Sequence, residues 1–402
     1  MLLRARVAVY GLFLISGVAL GTWTSRIPAI KSDLHLSEGE LSLALLGIAA
    51  GAIAGMQAVG RLVDRYGSRR VMIPVALLQG PVLVLPAFAP GLIGLAAALL
   101  AFGVVHGVLD VSMNANAVIV ERHYRRPIMS SFHAVFSVGG FLGASTGGLF
   151  AHAGAGVAAT FATVGALILV VSVVCARMAL PDELDLSRAP AQQAPGKTGN
   201  AMAGWVLFLG VLAFCCLVGE GSMADWSSVY LVEDLLSDES VGAAGYAAFS
   251  IMMTIGRFAG DRLAAWLGPV VLVRCCGALA GTGLLAALLI GHPVAGIAGF
   301  GLFGAGLSCI IPQVFSAAGH RDPATSGRAL ARVASLGYAG LLAGPVLIGG
   351  LAEFTGLPFA LGVPAVMALF VALAAGALRP VATADPSPAA APAPTPQSAE
   401  RP

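Results

Sequence analysis

Three polar side chains recur at helical spacing inside an otherwise apolar stretch of this chain. His106, Asp110 and Asn114 follow one another at intervals of four residues. At helical periodicity they fall within an arc of about 80° on one helix face. Ionisable groups inside apolar helices are costly and usually mark an ion or solute path. We therefore predict that Asp110 carries a proton and that His106 tunes or exchanges it. The alternative roles are a hydrogen-bond network between helices for Asp110 and a satisfied buried imidazole for His106.

A second polar set follows the same reasoning in a later apolar stretch. Glu220 lies well inside that stretch and needs either a partner or a proton. Arg26 is the partner predicted for it, with Asp225 as the competing acid. We predict Glu220 as a further proton carrier, and solute-binding or outer-gate roles for four residues: Arg26, Asn114, Asp225 and Trp226. The alternative role for Asp225 is an interfacial helix cap.

A short basic segment lies between two apolar segments, residues 40–60 and 71–89. It reads Gly60-Arg-Leu-Val-Asp64-Arg65-Tyr-Gly67-Ser-Arg69-Arg70. A basic loop of this kind lies at a membrane face, and in general the cytoplasmic one. A looser copy, Gly256-Arg-Phe-Ala-Gly-Asp261-Arg262, follows a later apolar segment. We place Asp64 and Arg65, with Asp261 and Arg262, at this membrane face, together with Gly60, Gly67 and Arg69.

The elements that must position these residues are membrane helices. The chain is 58% hydrophobic and only 10% charged, whereas soluble domains carry about 25% charged residues. Twelve apolar segments each approach the roughly 20 residues that a spanning helix needs. The predicted fold is an all-α polytopic membrane protein with spans at 7–28, 40–60, 71–89, 92–120, 128–152, 157–177, 204–230, 241–260, 269–290, 294–317, 331–353 and 358–378.

The two copies of the basic motif indicate an internal repeat. We predict an N-terminal six-helix half over residues 1–180 and a C-terminal six-helix half over residues 204–379. A cytoplasmic linker, 181–203, joins them, and an Ala/Pro-rich tail, 380–402, is expected to be disordered. In such two-fold repeats the solute path lies between the halves.

The distribution of basic residues predicts the orientation. Of the 22 Lys and Arg residues, all except Arg26 and Lys31 fall on one side if both termini share that side. Basic residues concentrate in cytoplasmic loops. We therefore expect a multi-pass protein of the cell (inner) membrane with cytoplasmic termini, which functions as a monomer within the lipid bilayer.

Several other classes of function lack their sequence signals. The stretch Gly196-Lys197-Thr198 would need a glycine at position 191, where there is Ala191, to form a phosphate-binding loop. The six cysteines show no zinc-type spacing. We find neither a clustered nucleophile and base, as a membrane enzyme needs, nor the accessory domain of a transport-dead sensor. We predict no enzymatic activity, no cofactor, no metal and no nucleic-acid partner.

The motifs also resemble a known family. The segment from Gly60 to Arg70 resembles the loop between helices 2 and 3 of the major facilitator superfamily of secondary transporters. The segments Asp110-Val-Ser-Met-Asn114, Val120-Glu121, Ser131-Phe-His133 and Glu220-Gly-Ser-Met-Ala-Asp225-Trp226-Ser227 resemble its MosC/YbjJ-like branch, which is distantly similar to fucose–proton symporters.

This resemblance implies alternating access and a small polar solute, such as a sugar or an aminocyclitol, carried with a proton. It also implies a cytoplasmic gate, which is latched by Asp64 and Arg65 with Asp261 and Arg262 and which includes Gly60, Gly67 and Arg69. The alternative is a proton-antiporting exporter of drugs or secondary metabolites. An exporter of that kind predicts a broad, aromatic-rich cavity, and aromatic residues make up only 7% of this chain.

Overall fold

The computed structural model of the protein describes residues 1–180 and 198–379, and within them all regular secondary structure is helical, with no strand. Six long helices precede the gap: α1 (Leu2–Asp33), α2 (Glu38–Tyr66), α3 (Ser68–Val84), α4 (Leu92–Tyr124), α5 (Met129–His152) and α6 (Val157–Met178). Seven follow it: α7 (Thr198–Val229), α8 (Glu239–Ile290), α9 (Pro293–Leu307), α10 (Ile310–Arg321), α11 (Ser326–Thr355), α12 (Leu357–Ala360) and α13 (Gly362–Ala374). We call α1–α6 the first group and α7–α13 the second group.

The described residues contain 11 helical stretches that are long and apolar enough to cross a membrane. This confirms an all-α protein with many apolar helices but not the predicted count of twelve. The difference lies in α8, which has 52 residues and covers both predicted spans 241–260 and 269–290. Within it Gly268 adopts φ 72 and ψ 163, ahead of Pro269. An unbroken helix of that length would extend about 78 Å, so the break at Gly268 lets the chain turn back.

Helix boundaries follow local chemistry. Ser37 begins α2 with a capping box, in which its hydroxyl accepts from the Glu40 N–H while the Glu40 carboxylate accepts from the Ser37 N–H. Gly67 ends α2 with φ 88, a region that favours glycine, so α3 starts at once after the basic motif. The second group starts at Thr198, inside the segment predicted as a linker. Residues 181–197 and the predicted tail, 380–402, lie outside the described residues.

Small residues let the helices pack with their backbones close together. A Cβ atom added to Gly47 of α2 would lie 2.7 Å from the carbonyl oxygen of Ala96 in α4, and one added to Gly55 would lie 2.5 Å from that of Val104. In the second group, a Cβ added to Gly277 would lie 2.6 Å from the carbonyl oxygen of Ala368. Such contacts require glycine, as is common where membrane helices pack tightly.

Candidate functional site

Arg257 of α8 joins the two helix groups in the interior of the protein. Its side chain is buried, with 8% exposure. Nη1 donates to the Ser137 hydroxyl of α5 over 2.6 Å, and Nη2 lies 3.8 Å from Glu220 Oε2 of α7. A buried guanidinium needs an acid and further acceptors to offset its lost hydration. Arg257 obtains the acid from its own group and a hydroxyl acceptor from the other.

The predicted pairing of Glu220 with Arg26 is therefore wrong. Arg26 is buried at the far end of α1, and its Nη2 donates over 2.7 Å to the carbonyl oxygen of Ala155, in the connection between α5 and α6. It satisfies a backbone acceptor just beyond a helix end, where such acceptors are left without helical partners. The sequence did contain the correct signal, because Arg257 is a basic residue inside the predicted span 241–260.

Asp110 and Asn114 of α4 are in contact, as their spacing predicted. The Asn114 side-chain amide donates to the Asp110 carbonyl oxygen over 2.9 Å and to Asp110 Oδ1 over 3.2 Å. Asn114 is only 1% exposed, and its own Oδ1 has no hydrogen-bond partner. Tyr338 of α11 lies near enough to interact electrostatically with both Asp110 and Glu220. Buried polar atoms are rarely left without a partner, so Asn114 Oδ1 is a natural place for a polar solute to donate a hydrogen bond.

His106 is turned toward its own group. Its Nδ1 lies 3.4 Å from the side-chain nitrogen of Gln79 in α3, and its ring stacks on Phe102 at 5.9 Å. The helical spacing does place it one turn from Asp110, but its hydrogen-bond partner lies elsewhere. This geometry favours the alternative of a satisfied buried imidazole.

His133 of α5 is a further buried imidazole in the interior, one helical turn from Ser137. Its ring lies between Phe13 of α1, at 5.2 Å, and Phe315 of α10, at 5.8 Å. Its Nε2 is buried without a hydrogen-bond partner, and Arg257 interacts with it electrostatically. The sequence alone favours a structural hydrogen-bonding role for His133, at the start of the predicted span 128–152. Its position between the groups makes it a member of the same polar cluster, which consists of Asp110, Asn114, His133, Ser137, Glu220, Arg257 and Tyr338.

Asp64 of the first basic motif contacts the second group directly. Its Oδ1 accepts from the backbone N–H of Gly327 over 2.8 Å, and its Oδ2 accepts from Arg328 Nε over 2.7 Å. Both donors lie in the first turn of α11, where a carboxylate is also favoured by the helix dipole. Gly60 lets α2 approach this turn, because an added Cβ would lie 3.0 Å from the Arg328 Cα. The predicted latch thus has a specific partner that sequence reasoning did not name.

Asp261 of the second motif makes the corresponding contact from the second group to the first. Its Oδ1 accepts from the backbone N–H of Ser131, in the first turn of α5, over 3.2 Å. Each copy of the motif therefore places a carboxylate against the N-terminus of a helix in the other group.

The basic residues of the two motifs act differently from the acids. Arg65 packs on the neighbouring Tyr66 ring at 5.2 Å. Arg69 donates over 3.4 Å to the Ala176 carbonyl oxygen of α6, within its own group. Arg262 is exposed, and neither it nor Arg65 forms an ion pair with any residue in 1–180 or 198–379. The contacts between the groups come from the acids, not from Arg65 or Arg262.

Glu121, near the end of α4, adds a third connection. Its Oε2 accepts from the N–H groups of Ile128 and Met129, both over 2.9 Å, at the start of α5. Its Oε1 accepts from the Ser316 hydroxyl of α10 and lies 3.7 Å from His320 Nδ1. We call the end of the bundle that holds these contacts the basic end; it is marked by Asp64, Glu121, Ser131, Asp261 and Arg328. The contacts above hold the two groups together there.

Asp225 and Trp226, two of the four residues predicted for solute binding or the outer gate, lie on α7. Trp226 Nε1 donates to the Pro345 carbonyl oxygen of α11 over 3.0 Å, so it fastens two helices of the second group. Asp225 is exposed and has no hydrogen bond to another residue of the described ranges. It is available to solvent rather than paired with Arg26 or Glu220.

Comparison with known proteins now decides the family. The sequence profile of the Major Facilitator Superfamily matches residues 9–326. The chain belongs to this superfamily. It is 36% identical over 372 residues to an MFS-type transporter of Yersinia pestis, covering 91% of this chain and 94% of the relative. It is also 34% identical over 350 residues to the membrane protein MosC of Rhizobium meliloti, covering 87% and 84% of the two chains.

Solved structures agree in fold. The transporter FucP in its outward conformation superposes with a TM-score of 0.74 at 16% identity, covering 93% of this chain and 98% of FucP. A bacterial homologue of the iron transporter ferroportin, in an outward-facing state, gives 0.71 at 13% identity, covering 92% and 98%. The protein is therefore a multi-pass membrane transporter of this superfamily, whose members are not enzymes, and its resemblance to the MosC-containing branch is confirmed.

Proposed function

We propose that this protein carries a small polar solute, such as a sugar or an aminocyclitol, together with a proton by alternating access. The observation that supports this best is Arg257, which is shared between Glu220 of its own group and Ser137 of the other. Because Arg257 joins the two groups and is paired with Glu220, protonation of Glu220 changes how the two groups are held together.

The proton steps follow from this arrangement. While Glu220 is ionised, it holds Arg257 between the groups. When Glu220 takes up a proton, the ion pair is lost, and Arg257 must find another acceptor or move with its helix. Asp110 is the second proposed proton carrier, and Tyr338 lies near both acids. His106, which is hydrogen-bonded to Gln79, affects the packing around Asp110 and does not itself carry the proton.

Solute binding is assigned to the same interior region. Asn114 offers a buried amide oxygen without a partner, and His133 offers an unpartnered ring nitrogen. A solute with several hydroxyl groups can satisfy both, as well as the phenol of Tyr338. The cluster is polar rather than aromatic, which favours a small polar solute over a drug. FucP, which shares this fold, is a fucose:proton symporter, and its activity is consistent with the same solute class.

The two ends have separate roles in the proposed cycle. The basic end, with Asp64 and Asp261, acts as the cytoplasmic gate, and the contacts between the groups there support a closed gate and an outward-facing state. Gly60 and Gly67 shape that gate by close approach and by the turn after α2. Arg65, Arg69 and Arg262 orient the gate at the membrane surface. At the opposite end, Arg26 and Trp226 brace the outer gate through Ala155 and Pro345, and Asp225 faces the entering solute.

The remaining architecture is part of the same proposal. The break at Gly268 divides α8 into two spans, which brings the count to twelve, six in each half. Basic residues cluster on the side of the basic end, so both termini and the linker face the cytoplasm of an inner-membrane protein. We propose that one chain suffices for transport.

The proposal is tested by uptake into proteoliposomes. Purified protein is given a panel of radiolabelled sugars and aminocyclitols, with and without an imposed inward proton gradient. We expect at least one solute to accumulate only when the gradient is present, and Arg257→Gln to abolish that accumulation. Accumulation that ignores the gradient, or an Arg257→Gln protein that accumulates solute as the wild type does, would overturn the proposal.

A further inference from the structure

A cavity of about 600 Å³ lies between the two groups at the basic end. The first group supplies the end of α4 and the α4–α5 connection, and the second supplies the start of α7, the end of α10 and the residues after α13. Five arginines and one histidine line it: Arg122, Arg125, Arg126, Arg321, Arg379 and His320. Neither basic motif contributes to this cavity.

The described residues that line the cavity carry a surplus of positive charge. Glu121 is the one acidic residue among its described lining residues. Its carboxylate is already occupied by two backbone N–H groups, the Ser316 hydroxyl and His320. It therefore has little capacity left to neutralise the arginines. Positive groups gathered in a concave site focus an electrostatic field that attracts anions.

Aromatic rings hold two of these guanidinium groups in place. Arg321 stacks over Trp205 at 4.2 Å, and Trp205 is itself fixed by a hydrogen bond of 2.9 Å from its Nε1 to the Ala377 carbonyl oxygen. Arg126 lies over the Tyr124 ring at 5.6 Å. Stacking uses the flat face of a guanidinium and leaves its N–H edge available. These edges are therefore pre-positioned for an oxyanion.

We propose that this cavity binds a phosphate group. Guanidinium forks match phosphate oxygens with paired, charge-assisted hydrogen bonds. A cavity of this size at a membrane surface accepts either a phospholipid headgroup or a soluble phosphate ester, and basic pockets between membrane helices are known to bind anionic headgroups. The recognised chemistry, a phosphate oxyanion, is the same for both sources.

Binding here has a conformational consequence. Residues of both groups line the cavity, so its complete form exists only while the basic end is closed. A ligand that binds one state better than another shifts the balance toward that state. Phosphate bound in the cavity therefore holds the basic end closed and sets how readily the protein opens on that side.

The experiment measures the melting temperature of the full-length protein in lipid nanodiscs. One arm uses phosphatidylcholine with added inorganic pyrophosphate, a second uses phosphatidylcholine mixed with phosphatidylglycerol, and the reference uses phosphatidylcholine alone. We compare the wild type with the triple variant Arg125→Gln, Arg126→Gln, Arg321→Gln. Arg332→Gln is the matched control, since Arg332 is an exposed arginine of α11 that does not line the cavity.

We expect the wild type and Arg332→Gln to melt several degrees higher in at least one anionic arm, and the triple variant to lose that increase. Added salt should reduce the increase, because it screens exposed charges. The arm that stabilises identifies the source, a soluble phosphate or a lipid headgroup. If the melting temperature of the triple variant differs from that of the wild type in phosphatidylcholine alone, the comparison is made with the single variant Arg321→Gln instead. No increase in either arm, or an equal increase in the variant that lacks the arginines, would overturn the proposal.

Discussion

The two copies of the basic motif make the same kind of contact with different strength. Asp64 accepts two hydrogen bonds from α11, one of them from the charged Arg328, at 2.8 and 2.7 Å. Asp261 accepts from a backbone N–H of α5 at 3.2 Å. The shared device is a carboxylate placed on the N-terminus of a helix in the other group. The difference is one ion pair, so the α2–α11 contact should control the closed state more than the α8–α5 contact.

The largest expected effect comes from removing the charge of Asp64. Asp64→Asn keeps an acceptor for the Gly327 N–H but loses the ion pair with Arg328. A hydrogen bond to a charged group contributes roughly 1.5–3 kcal/mol, which corresponds to about a tenfold to hundredfold shift of the conformational balance. The protein should express normally, transport poorly and expose cysteines engineered into the basic end. Arg328→Gln should act similarly, while Arg332→Gln, on the same helix, should not. Wild-type transport with unchanged cysteine labelling would contradict this.

Two glycines, Gly60 and Gly260, allow the helices to cross at these contacts. For substitutions of these glycines, we expect the larger effect at the α8–α5 contact. A Cβ added to Gly60 would lie 3.0 Å from Ala331 Cβ, whereas one added to Gly260 would lie 2.6 Å from Ser130 Cβ. We expect Gly260→Ala to raise cysteine labelling at the basic end more than Gly60→Ala does, because the α8–α5 crossing has less space. A larger increase in cysteine labelling for Gly60→Ala than for Gly260→Ala would contradict this expectation. Gly39→Ala, where nothing lies within 4 Å of the added Cβ, is the control.

Asp261→Asn should have a smaller effect than Asp64→Asn. It removes the carboxylate charge but no ion pair among the described residues, and the amide oxygen can still accept from Ser131. We expect a shift of about 1 kcal/mol, the typical net value of one hydrogen bond. In a double-mutant cycle, the two substitutions should add if the contacts act independently. An Asp261→Asn effect on cysteine labelling as large as that of Asp64→Asn would show that the two contacts are equivalent.

Local spacing was sufficient to predict some of these contacts. The pair Asp110 and Asn114 follows from helix geometry alone, and each motif placed its acid where the structure has an inter-group contact. The correct partner of Glu220 could not be predicted in this way. Both Arg26 and Arg257 were available bases, and the choice depends on which helices are neighbours. The closeness of α7 and α8 at that depth is a property of the packed bundle.

Two further features of the structure could not be predicted from the sequence, because they also depend on which helices are neighbours. Glu121 and Ser316 are 195 positions apart in the sequence, and nothing near either residue indicates the other. The arginines of the basic cavity come from three separate places in the chain, residues 122–126, 321 and 379, so each place alone is typical of an ordinary cytoplasmic loop. The break at Gly268, by contrast, had a local signal in the Gly-Pro pair at the start of the predicted span 269–290.

The central claim is that protonation of two interior acids controls how the groups move, with Glu220 acting through Arg257 and Asp110 as the second carrier. It is tested most directly by comparing two assays in proteoliposomes: uptake driven by a proton gradient, and exchange of solute at equal pH. Exchange requires no net change in protonation. We expect Glu220→Gln, and likewise Asp110→Asn, to lose gradient-driven accumulation while retaining exchange at a rate near that of the wild type. Accumulation of solute against its gradient by either variant, in response to a pH difference, would contradict the account.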